Sequence, residues 1–285
     1  MKQGALSTLA PAKLNLFLHV VGRRTDGYHL LQSAFALLDF GDTLQFKLRE
    51  DGLIRRTSEL TGVVEDEDLV VRAARLLQRE SGTRFGADIS VKKLIPLGGG
   101  LGGGSSDAAS TLLVLNQLWN LDLPRKQLQE MALSLGADVP FFVFGRNAWA
   151  EGIGESLLAL DLPEWWYVVL TPNAQVSTPL VFSRPELTRN TIPLKIADFS
   201  ASGLADTRND LQPIVMKAFP AVSTSVQALA AVSQKSIFGA RMTGSGACVF
   251  AAFERELDAR DAFQQLLPEY QGFVAQGLRK HPLGD

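Results

Sequence analysis

The chain has 285 residues, of which 46% are hydrophobic and 20% are charged, and its formal net charge at pH 7 is −2. These values describe a globular protein of one large or two smaller domains. The near-neutral charge argues against a protein that binds nucleic acid through a broad basic surface. The single cysteine, Cys248, excludes an internal disulfide and a multi-cysteine zinc site, and it fits the reducing cytosol.

No uninterrupted apolar run approaches the ~18 residues that a membrane span needs, so we expect a soluble, cytoplasmic protein without a membrane partner. Near the N-terminus, Lys13 and Asn15 alternate with Leu14, Leu16 and Leu18. This alternation is typical of a strand of the mature protein and interrupts the apolar core that a signal peptide requires.

Strand-like and helix-like segments interleave along the chain without internal repeats, which predicts an α+β fold. Short apolar or alternating segments predict strands at 14–21, 34–48, 89–94, 141–144, 165–170 and 248–253. Apolar residues at helical spacing predict helices at 68–82, 106–120, 127–135, 211–219, 221–232 and 254–267. Polar residues and a proline at 160–164 separate two apolar segments, so we predict domains at 1–160 and 161–285.

The strongest chemical signal is the segment 96–110, PLGGGLGGGSSDAAS, in which six glycines precede a predicted helix. Glycine allows unusual backbone angles and close approach, so successive amide groups can point into one concavity. The start of the following helix adds free N–H donors and the positive end of the helix dipole. Together these features predict a site for the phosphates of a nucleoside triphosphate.

A flexible linker or a dinucleotide-binding loop explains this segment less well than a triphosphate-binding loop does. A flexible linker does not usually lie between a strand and a periodic helix. Gly98, Gly100 and Gly103 match a dinucleotide-binding pattern, but a run this dense in glycine matches it easily. Asp122 has the expected distance for that pattern, yet it follows a predicted helix instead of a strand. The Walker pattern is absent because no Gly-Lys-Ser or Gly-Lys-Thr closes the loop, so another type of phosphate-binding loop is required.

The segment resembles the phosphate-binding motif of the GHMP kinases, in the extended form GGGLGGGSSD that is typical of diphosphocytidyl-methylerythritol kinases. Further agreement lies in PAKLNLFLHV at 11–20, GYH at 27–29, GADVPFF at 136–142 and MTGSGACVF at 242–250. The resemblance covers nearly the whole chain. It implies a two-domain α+β GHMP kinase fold. The N-terminal ATP-binding domain would be like ribosomal protein S5 domain 2, the C-terminal domain would be ferredoxin-like, and ATP and substrate would meet in the cleft.

The resemblance also implies the activity. We expect ATP-dependent phosphorylation of the 2-hydroxyl of 4-diphosphocytidyl-2-C-methyl-D-erythritol, in the non-mevalonate (methylerythritol phosphate) pathway to isoprenoids and terpenoids. The expected partner is this small cytidine diphosphate polyol, and no nucleic acid is expected. Because the sequence has no His-x-x-x-His or paired-cysteine spacing, we expect no metal site of the protein's own and expect Mg²⁺ to arrive with ATP.

Two residues are implied in catalysis. Asp138 resembles the aspartate that takes the proton from the substrate hydroxyl as it attacks the γ-phosphorus. Lys13 resembles the lysine paired with that aspartate, where an ammonium keeps the carboxylate ionised and offsets charge on the transferring phosphoryl group. In isolation, Asp138 would be explained as a turn residue and Lys13 as a solvated lysine on a strand.

The residues implied in ATP binding are those of the glycine-rich loop and one preceding lysine: Pro96, Leu97, Gly98, Gly99, Gly100, Leu101, Gly102, Gly103, Gly104, Ser105, Ser106 and Lys93. The two serines would donate to phosphate or help hold magnesium, although capping of the following helix explains them equally well. Lys93 and the helix start near Asp68 resemble positions that line the adenine, although a lysine and an acidic helix cap are also ordinary features of a protein surface.

The residues implied in substrate binding are Asn15, Tyr28, His29, Phe182 and Gly244. By resemblance, Tyr28 and Phe182 sandwich the cytosine ring, His29 and Asn15 hydrogen-bond its edge or the polyol, and Gly244 belongs to a turn beside the phosphate loop. Aromatic faces stack well on any base. Taken separately, each aromatic residue would be explained by packing, and Gly244 by a hairpin turn.

Alternatives remain open at this point. A GHMP kinase for another alcohol, such as mevalonate, homoserine or a sugar, would share the phosphate loop but would not need the aromatic pair. A noncatalytic RNA-binding module of the same N-terminal fold would need a basic stripe, which the sequence lacks. An NAD-dependent enzyme would need an acidic residue at a strand end.

Overall fold

A computed structural model describes residues 5–59, 64–196 and 202–284. The strands are β1 (Leu6–Arg23), β2 (His29–Arg49), β3 (Ile54–Arg56), β4 (Gly86–Lys92), β5 (Ala148–Glu151), β6 (Ser156–Ala159), β7 (Trp166–Leu170), β8 (Phe238–Met242), β9 (Val249–Phe253) and β10 (Gly272–Leu278). The helices are α1 (Leu69–Ser81), α2 (Gly103–Leu118), α3 (Arg125–Leu133), α4 (Val139–Phe144), α5 (Thr178–Ser183), α6 (Gln212–Ala218), α7 (Pro220–Val232) and α8 (Glu256–Gln264).

Strand β2 organises the N-terminal half. It pairs with β1 along most of its length, and its other edge pairs with β5 near its start and with β4 near its end. Strand β3 extends the sheet beyond β4, and β6 extends it beyond β5. Both long strands are longer than the predicted strands at 14–21 and 34–48.

The two faces of this sheet carry different contacts. Along β2, Phe35 and Leu37 pack against the helices α1, α2 and α4 in one core. Ala34, Ala36 and Leu38 point to the opposite face and pack against strands β7 and β9 in a second core. Because side chains alternate along a strand, one apolar strand supplies both cores.

The C-terminal half forms an antiparallel sheet in the order β10-β7-β9-β8. Its elements follow as β7, helices, β8, β9, α8 and β10, which is the β-α-β-β-α-β arrangement of the predicted ferredoxin-like domain. Tyr167 and Val169 of β7 face the first sheet, whereas Val168 and Leu170 face the helices α6, α7 and α8. The molecule therefore stacks helices, sheet, sheet and helices.

Strand β10 joins the two sheets. It pairs with β7 over five residues, and then Gly277 and Leu278 pair with Leu38 and Leu37 of β2. Strand β6 ends at Ala159 and β7 begins at Trp166, so the predicted boundary between 160 and 161 falls in the connection. The boundary itself stays a prediction, because the last strand returns to the first half.

The prediction of a strand at 141–144 is wrong. These residues belong to helix α4, which has Pro140 in its first turn and ends at Gly145, where φ is +75°. Phe141, Phe142 and Val143 are all fully buried, since α4 packs against α2 and α3. A short run that is apolar on every side has no periodicity, and its length alone favoured a strand.

The other predicted elements are present with boundaries shifted by a few residues, except that β1 begins at Leu6 instead of at the predicted residue 14. Asp68 caps α1 by accepting a hydrogen bond from the Val70 N–H at 2.9 Å, and Gly82 ends the helix with φ +66°. Helix α5 and the strands β3, β5, β6, β8 and β10 were not predicted. Most of these strands are five residues or shorter and lack a distinctive alternation.

Across the described ranges, no single helix is long and apolar enough to cross a membrane. Helices α6 and α7 would meet that requirement only as a pair, and the chain bends by 119° between them.

Candidate active site

A cavity of about 350 Å³ lies between the N-terminal sheet, the glycine-rich loop and a turn of the C-terminal half. It brings together predicted residues that are far apart in sequence. Those on its wall are Lys13, Asn15, Gly98, Gly100, Gly102, Ser105, Asp138, Phe182 and Gly244.

Lys13 and Asp138 meet at this cavity. The Lys13 ammonium lies 3.4 Å from Asp138 Oδ2, and only 5% of the lysine side chain is exposed, so Lys13 is not a solvated strand lysine. The Lys13 ammonium also lies 5.1 Å from the centre of the Phe35 ring. Asp138 stands at the start of α4 but makes no capping hydrogen bond with that helix, and 38% of its side chain is exposed. Its carboxylate is thus presented to the cavity beside a buried cation.

Asn15 holds the lysine in place. The Lys13 ammonium donates to Asn15 Oδ1 at 2.5 Å, and Asn15 Nδ2 donates to Ser33 Oγ at 2.8 Å. Ser33 Oγ in turn donates to the Phe17 carbonyl at 2.5 Å. Both ends of the Asn15 amide are therefore engaged within the protein, and its contact with a substrate stays a prediction.

The glycine-rich loop is anchored on both sides. Its Leu101 carbonyl accepts from the Lys13 N–H at 3.0 Å, and its Gly99 carbonyl accepts from the Cys248 N–H at 3.1 Å. Alternate residues Gly98, Gly100 and Gly102 have positive φ of +70°, +76° and +73°. Only glycine adopts such a sequence of angles without strain. The loop ends directly at the start of α2, so free amides and the helix dipole favour an anion there.

Not all of the predicted loop residues face this cavity. Pro96, Leu97 and Gly99 line a different cavity of about 900 Å³ on the other side of the loop. Leu101 is buried, and Gly103 and Gly104 form the first turn of α2. The loop thus separates two cavities.

The serines differ in surroundings. Ser105 lines the cavity beside Asp138, whereas Ser106 Oγ is buried and has no hydrogen-bond partner within the residues that the structure describes. Those same residues contain no cluster of three or more His, Cys, Asp or Glu side chains suited to a metal ion.

The turn at 243–246 closes the cavity from the C-terminal side. Gly244 and Gly246 have φ of +55° and +91°. Asn209 Nδ2 donates to the Met242 and Gly244 carbonyls, each at 2.8 Å, and Thr243 Oγ1 accepts from the Asn15 N–H at 2.8 Å. Neither Asn209 nor Thr243 was predicted as a site residue. Asn209 lies in a loop without a motif, and within the segment 242–250 only Gly244 was predicted.

Lys93 lies behind the loop in a buried charge cluster. Its ammonium donates to Asp42 and, at 2.7 Å, to Asp107 Oδ2. Asp42 also accepts the Leu94 and Ile95 N–H groups at 2.6 and 2.8 Å, which fixes the chain entering the loop. Burial, with the nearby Asp42 carboxylate, raises the pKa of Asp107 to about 7, against the opposing effect of Lys93. A role of Lys93 toward adenine stays a prediction.

Tyr28, His29 and Phe182 line an adjoining cavity of about 520 Å³. Phe182 lies on α5 and borders both cavities, as do Leu31, Ala137, Ile153 and Thr178, so the two cavities adjoin. Tyr28 is 60% exposed, as expected of an aromatic side chain without a core role. The His29 and Phe182 rings lie 4.9 Å apart at 32°. Sequence analysis therefore identified three side chains that share one pocket.

Arg189 was missed and contacts this aromatic group directly. Its Nε donates to His29 Nε2 at 3.0 Å, and one terminal nitrogen donates to the Phe182 and Arg184 carbonyls at 3.0 and 2.7 Å. Burial, followed by the positive charges of Arg189 and Arg23, lowers the pKa of His29, so its ring is neutral at pH 7.

Comparison with known proteins identifies the family of this chain. Residues 68–146 match the GHMP kinases N terminal domain, and residues 194–271 match the GHMP kinases C terminal domain. The 4-diphosphocytidyl-2-C-methyl-D-erythritol kinase of Nitrosospira multiformis is 58% identical over 99% of this chain and 95% of its own length.

Solved structures agree. A crystal structure of 4-(cytidine 5'-diphospho)-2C-methyl-D-erythritol kinase superposes with a TM-score of 0.82 at 36% identity, covering 95% of this chain and 99% of that one. Homoserine kinase from Cytophaga hutchinsonii superposes with a TM-score of 0.70 at 16% identity, covering 99% and 96%, and shares the fold. The expected two-domain fold is confirmed, and the chain belongs to the GHMP kinases and, within them, to the 4-diphosphocytidyl-2-C-methyl-D-erythritol kinase family.

Proposed function

We propose that this chain transfers the γ-phosphoryl group of ATP to the 2-hydroxyl of 4-diphosphocytidyl-2-C-methyl-D-erythritol, giving the 2-phosphate and ADP. The step belongs to the non-mevalonate pathway of isoprenoid biosynthesis. The observation that carries the proposal is that two cavities adjoin and share lining residues, among them Phe182. One holds the Lys13–Asp138 pair beside the glycine-rich loop, and the other holds the aromatic group of Tyr28, His29 and Phe182. The 58% identical relative bears the name of this activity.

Asp138 would act on the hydroxyl. As the substrate oxygen attacks the γ-phosphorus, its proton passes to the Asp138 carboxylate, which is free of other hydrogen bonds to α4 and faces the cavity. The Lys13 ammonium forms an ion pair with this carboxylate at 3.4 Å and lies close enough to offset charge on the phosphoryl oxygens. Asn15 holds that ammonium from the other side.

GHMP kinases use ATP as the phosphate donor, and the glycine-rich loop would bind its phosphates. The amides around Gly98, Gly100 and Gly102 and the start of α2 supply donors that are fixed before the substrate arrives. Mg²⁺ would enter with ATP and neutralise charge on the phosphate oxygens. Ser105 is the loop hydroxyl that faces the cavity, and Ser106 carries the buried hydroxyl that lacks a protein partner among the described residues.

The cytidine end of the substrate would occupy the aromatic cavity. Tyr28 and Phe182 present ring faces on which a base can stack, and His29 presents a neutral ring nitrogen toward its edge. Gly244 and Asn15 would flank the polyol between this cavity and Asp138. A kinase of this fold for mevalonate or homoserine has no base to bind, so the aromatic group distinguishes the cytidylyl substrate.

The proposal is tested by ATP turnover with diphosphocytidyl-methylerythritol, mevalonate and homoserine offered separately. We expect phosphorylation of the cytidylyl substrate alone. Asp138→Asn should lower kcat by about 10²- to 10⁴-fold, the usual contribution of a general base. Asp161→Asn, at a side chain that is 92% exposed in the connection between the halves, is the matched control.

The outcomes separate the parts of the proposal. Turnover of mevalonate or homoserine alone would preserve the kinase assignment and refute the role of the aromatic cavity. An Asp138→Asn enzyme as active as Asp161→Asn would show that Asp138 is not the proton acceptor.

A further inference from the structure

The aromatic cavity contains one hydrogen bond whose direction is fixed by chemistry. The Arg189 guanidinium has only donors, and its Nε lies 3.0 Å from His29 Nε2. His29 Nε2 must therefore be the acceptor. Because burial and the charges of Arg189 and Arg23 lower the pKa of His29, the ring carries a single proton at neutral pH. That proton has to reside on Nδ1.

Nδ1 makes no hydrogen bond within the part of the chain that the structure describes. His29 lines the cavity together with Tyr28 and Phe182 and is half-buried there. A neutral imidazole whose Nε2 is occupied can only donate through Nδ1. The His29 Nδ1–H group is therefore a hydrogen-bond donor that cannot act as an acceptor, and it is available to an acceptor atom of a ligand.

Cytosine and uracil differ in hydrogen bonding at ring atom N3. N3 of cytosine is an acceptor, whereas N3 of uracil carries a hydrogen and is a donor. A donor that faces cytosine N3 forms a hydrogen bond, and the same donor facing uracil N3–H leaves two donors opposed and unsatisfied. A histidine free to exchange its tautomer would serve either base. One held as the Nδ1–H tautomer would not.

We propose that Arg189 is a specificity-determining positioning residue: by capping His29 Nε2 it fixes the Nδ1–H tautomer and so selects a cytidine over a uridine diphosphate substrate. The inference rests on the proposed function, since it assumes that the base occupies the aromatic cavity. Arg189 also donates to the Phe182 and Arg184 carbonyls at the end of α5. The same guanidinium therefore sets the histidine tautomer and holds the strand and helix that carry the aromatic group at a fixed separation.

The test compares kcat/KM for diphosphocytidyl- and diphosphouridyl-methylerythritol in three variants. Arg189→Leu removes every donor, and we expect the preference for the cytidine substrate to fall by about tenfold or more. Arg189→Lys keeps a permanent cationic donor for Nε2 and should retain most of the preference, although it loses the carbonyl contacts. Arg23→Gln, which removes a nearby charge without touching Nε2, should affect both substrates alike.

A structural role alone predicts a different result. If Arg189 only supports α5, Arg189→Leu will lower turnover of both substrates by the same factor and leave their ratio unchanged, which overturns the proposal. Failure of the wild-type protein to phosphorylate either substrate would instead refute the proposed function.

The tautomer can be read without any substrate. The chain has three histidines, so ¹⁵N-histidine labelling gives few signals, and a His29→Gln variant assigns one of them. Two-bond ¹H–¹⁵N correlation spectra at pH 8 should show the proton on Nδ1 in the wild type and on both nitrogens or on Nε2 in Arg189→Leu. A wild-type His29 protonated on Nε2 would overturn the inference even if the kinase activity is as proposed.

Discussion

Replacing Gly100 with alanine should weaken the contact between the glycine-rich loop and the turn at 243–246. A Cβ at Gly100 would lie 2.5 Å from the Thr243 carbonyl oxygen and 3.1 Å from that of Gly246. Ordinary contact begins near 3.4 Å, so the loop and the turn would have to separate by about 1 Å. Both are backbone segments held by hydrogen bonds, and neither can rotate away as a side chain would.

Gly98 is the matched control. Its φ of +70° is close to the +76° of Gly100, but a Cβ at Gly98 would meet no protein atom within 4 Å. Alanine in this conformation costs roughly 1–2 kcal/mol. Part of this cost is offset because alanine lowers the conformational entropy of the unfolded chain, so Gly98→Ala should lower the free energy of unfolding by about 1 kcal/mol. Overpacking adds about 1–3 kcal/mol in Gly100→Ala.

Urea unfolding without ligand measures this difference, because both alanines have the same backbone cost. Since a displacement of about 1 Å in a catalytic site can cost a hundredfold in rate, we also expect a large loss of kcat/KM for ATP in Gly100→Ala. Equal stabilities of the two variants would refute the argument, because they would show that the loop and the turn are not in tight contact.

Two further predictions concern buried charges and are also measured by urea unfolding. Asp42→Asn would place an amide N–H₂ against the Lys93 ammonium and should cost about 3–5 kcal/mol. Asp107→Asn should cost less, because burial raises the pKa of Asp107 and so reduces the charge that it contributes to the ion pair; equal costs would contradict this. Burial lowers the pKa of His281 to about 4, so the unfolded chain, with its pKa near 6.5, takes up the proton first as pH falls. The free energy of unfolding should therefore decrease between pH 6.5 and 4 by up to about 3 kcal/mol, and His281→Gln should flatten this dependence.

Sequence reasoning succeeded where the signal is local. The helix at 68–82 has an acidic cap, a periodic apolar face and a terminal glycine, and each of these is visible within a few residues. The glycine-rich loop is equally local, because glycine composition itself permits the positive φ values. The segments that carry Lys13 and Asp138 were identified by resemblance, and the structure brings the two side chains together.

The remaining features depend on contacts between distant segments. Arg189 reaches His29 across 160 positions, and Asn209 bonds to Met242 and Gly244 from a loop without any motif. No spacing rule links such residues, because the fold alone brings them together. The prediction of a strand at 141–144 was wrong for a related reason. Whether this segment forms a helix or a strand is decided by the helices that pack against it, and its own sequence has no periodicity.

The place of β7 and β10 in the sheets has a consequence for synthesis. Strand β7 lies at the centre of the C-terminal sheet, yet its partner β9 follows about 80 residues later along the chain and its other partner, β10, later still. On the ribosome, an apolar strand with two unpaired edges therefore precedes both of its neighbours. Such edges can pair with other chains. The nascent protein is consequently most vulnerable to aggregation between the emergence of β7 and that of β10.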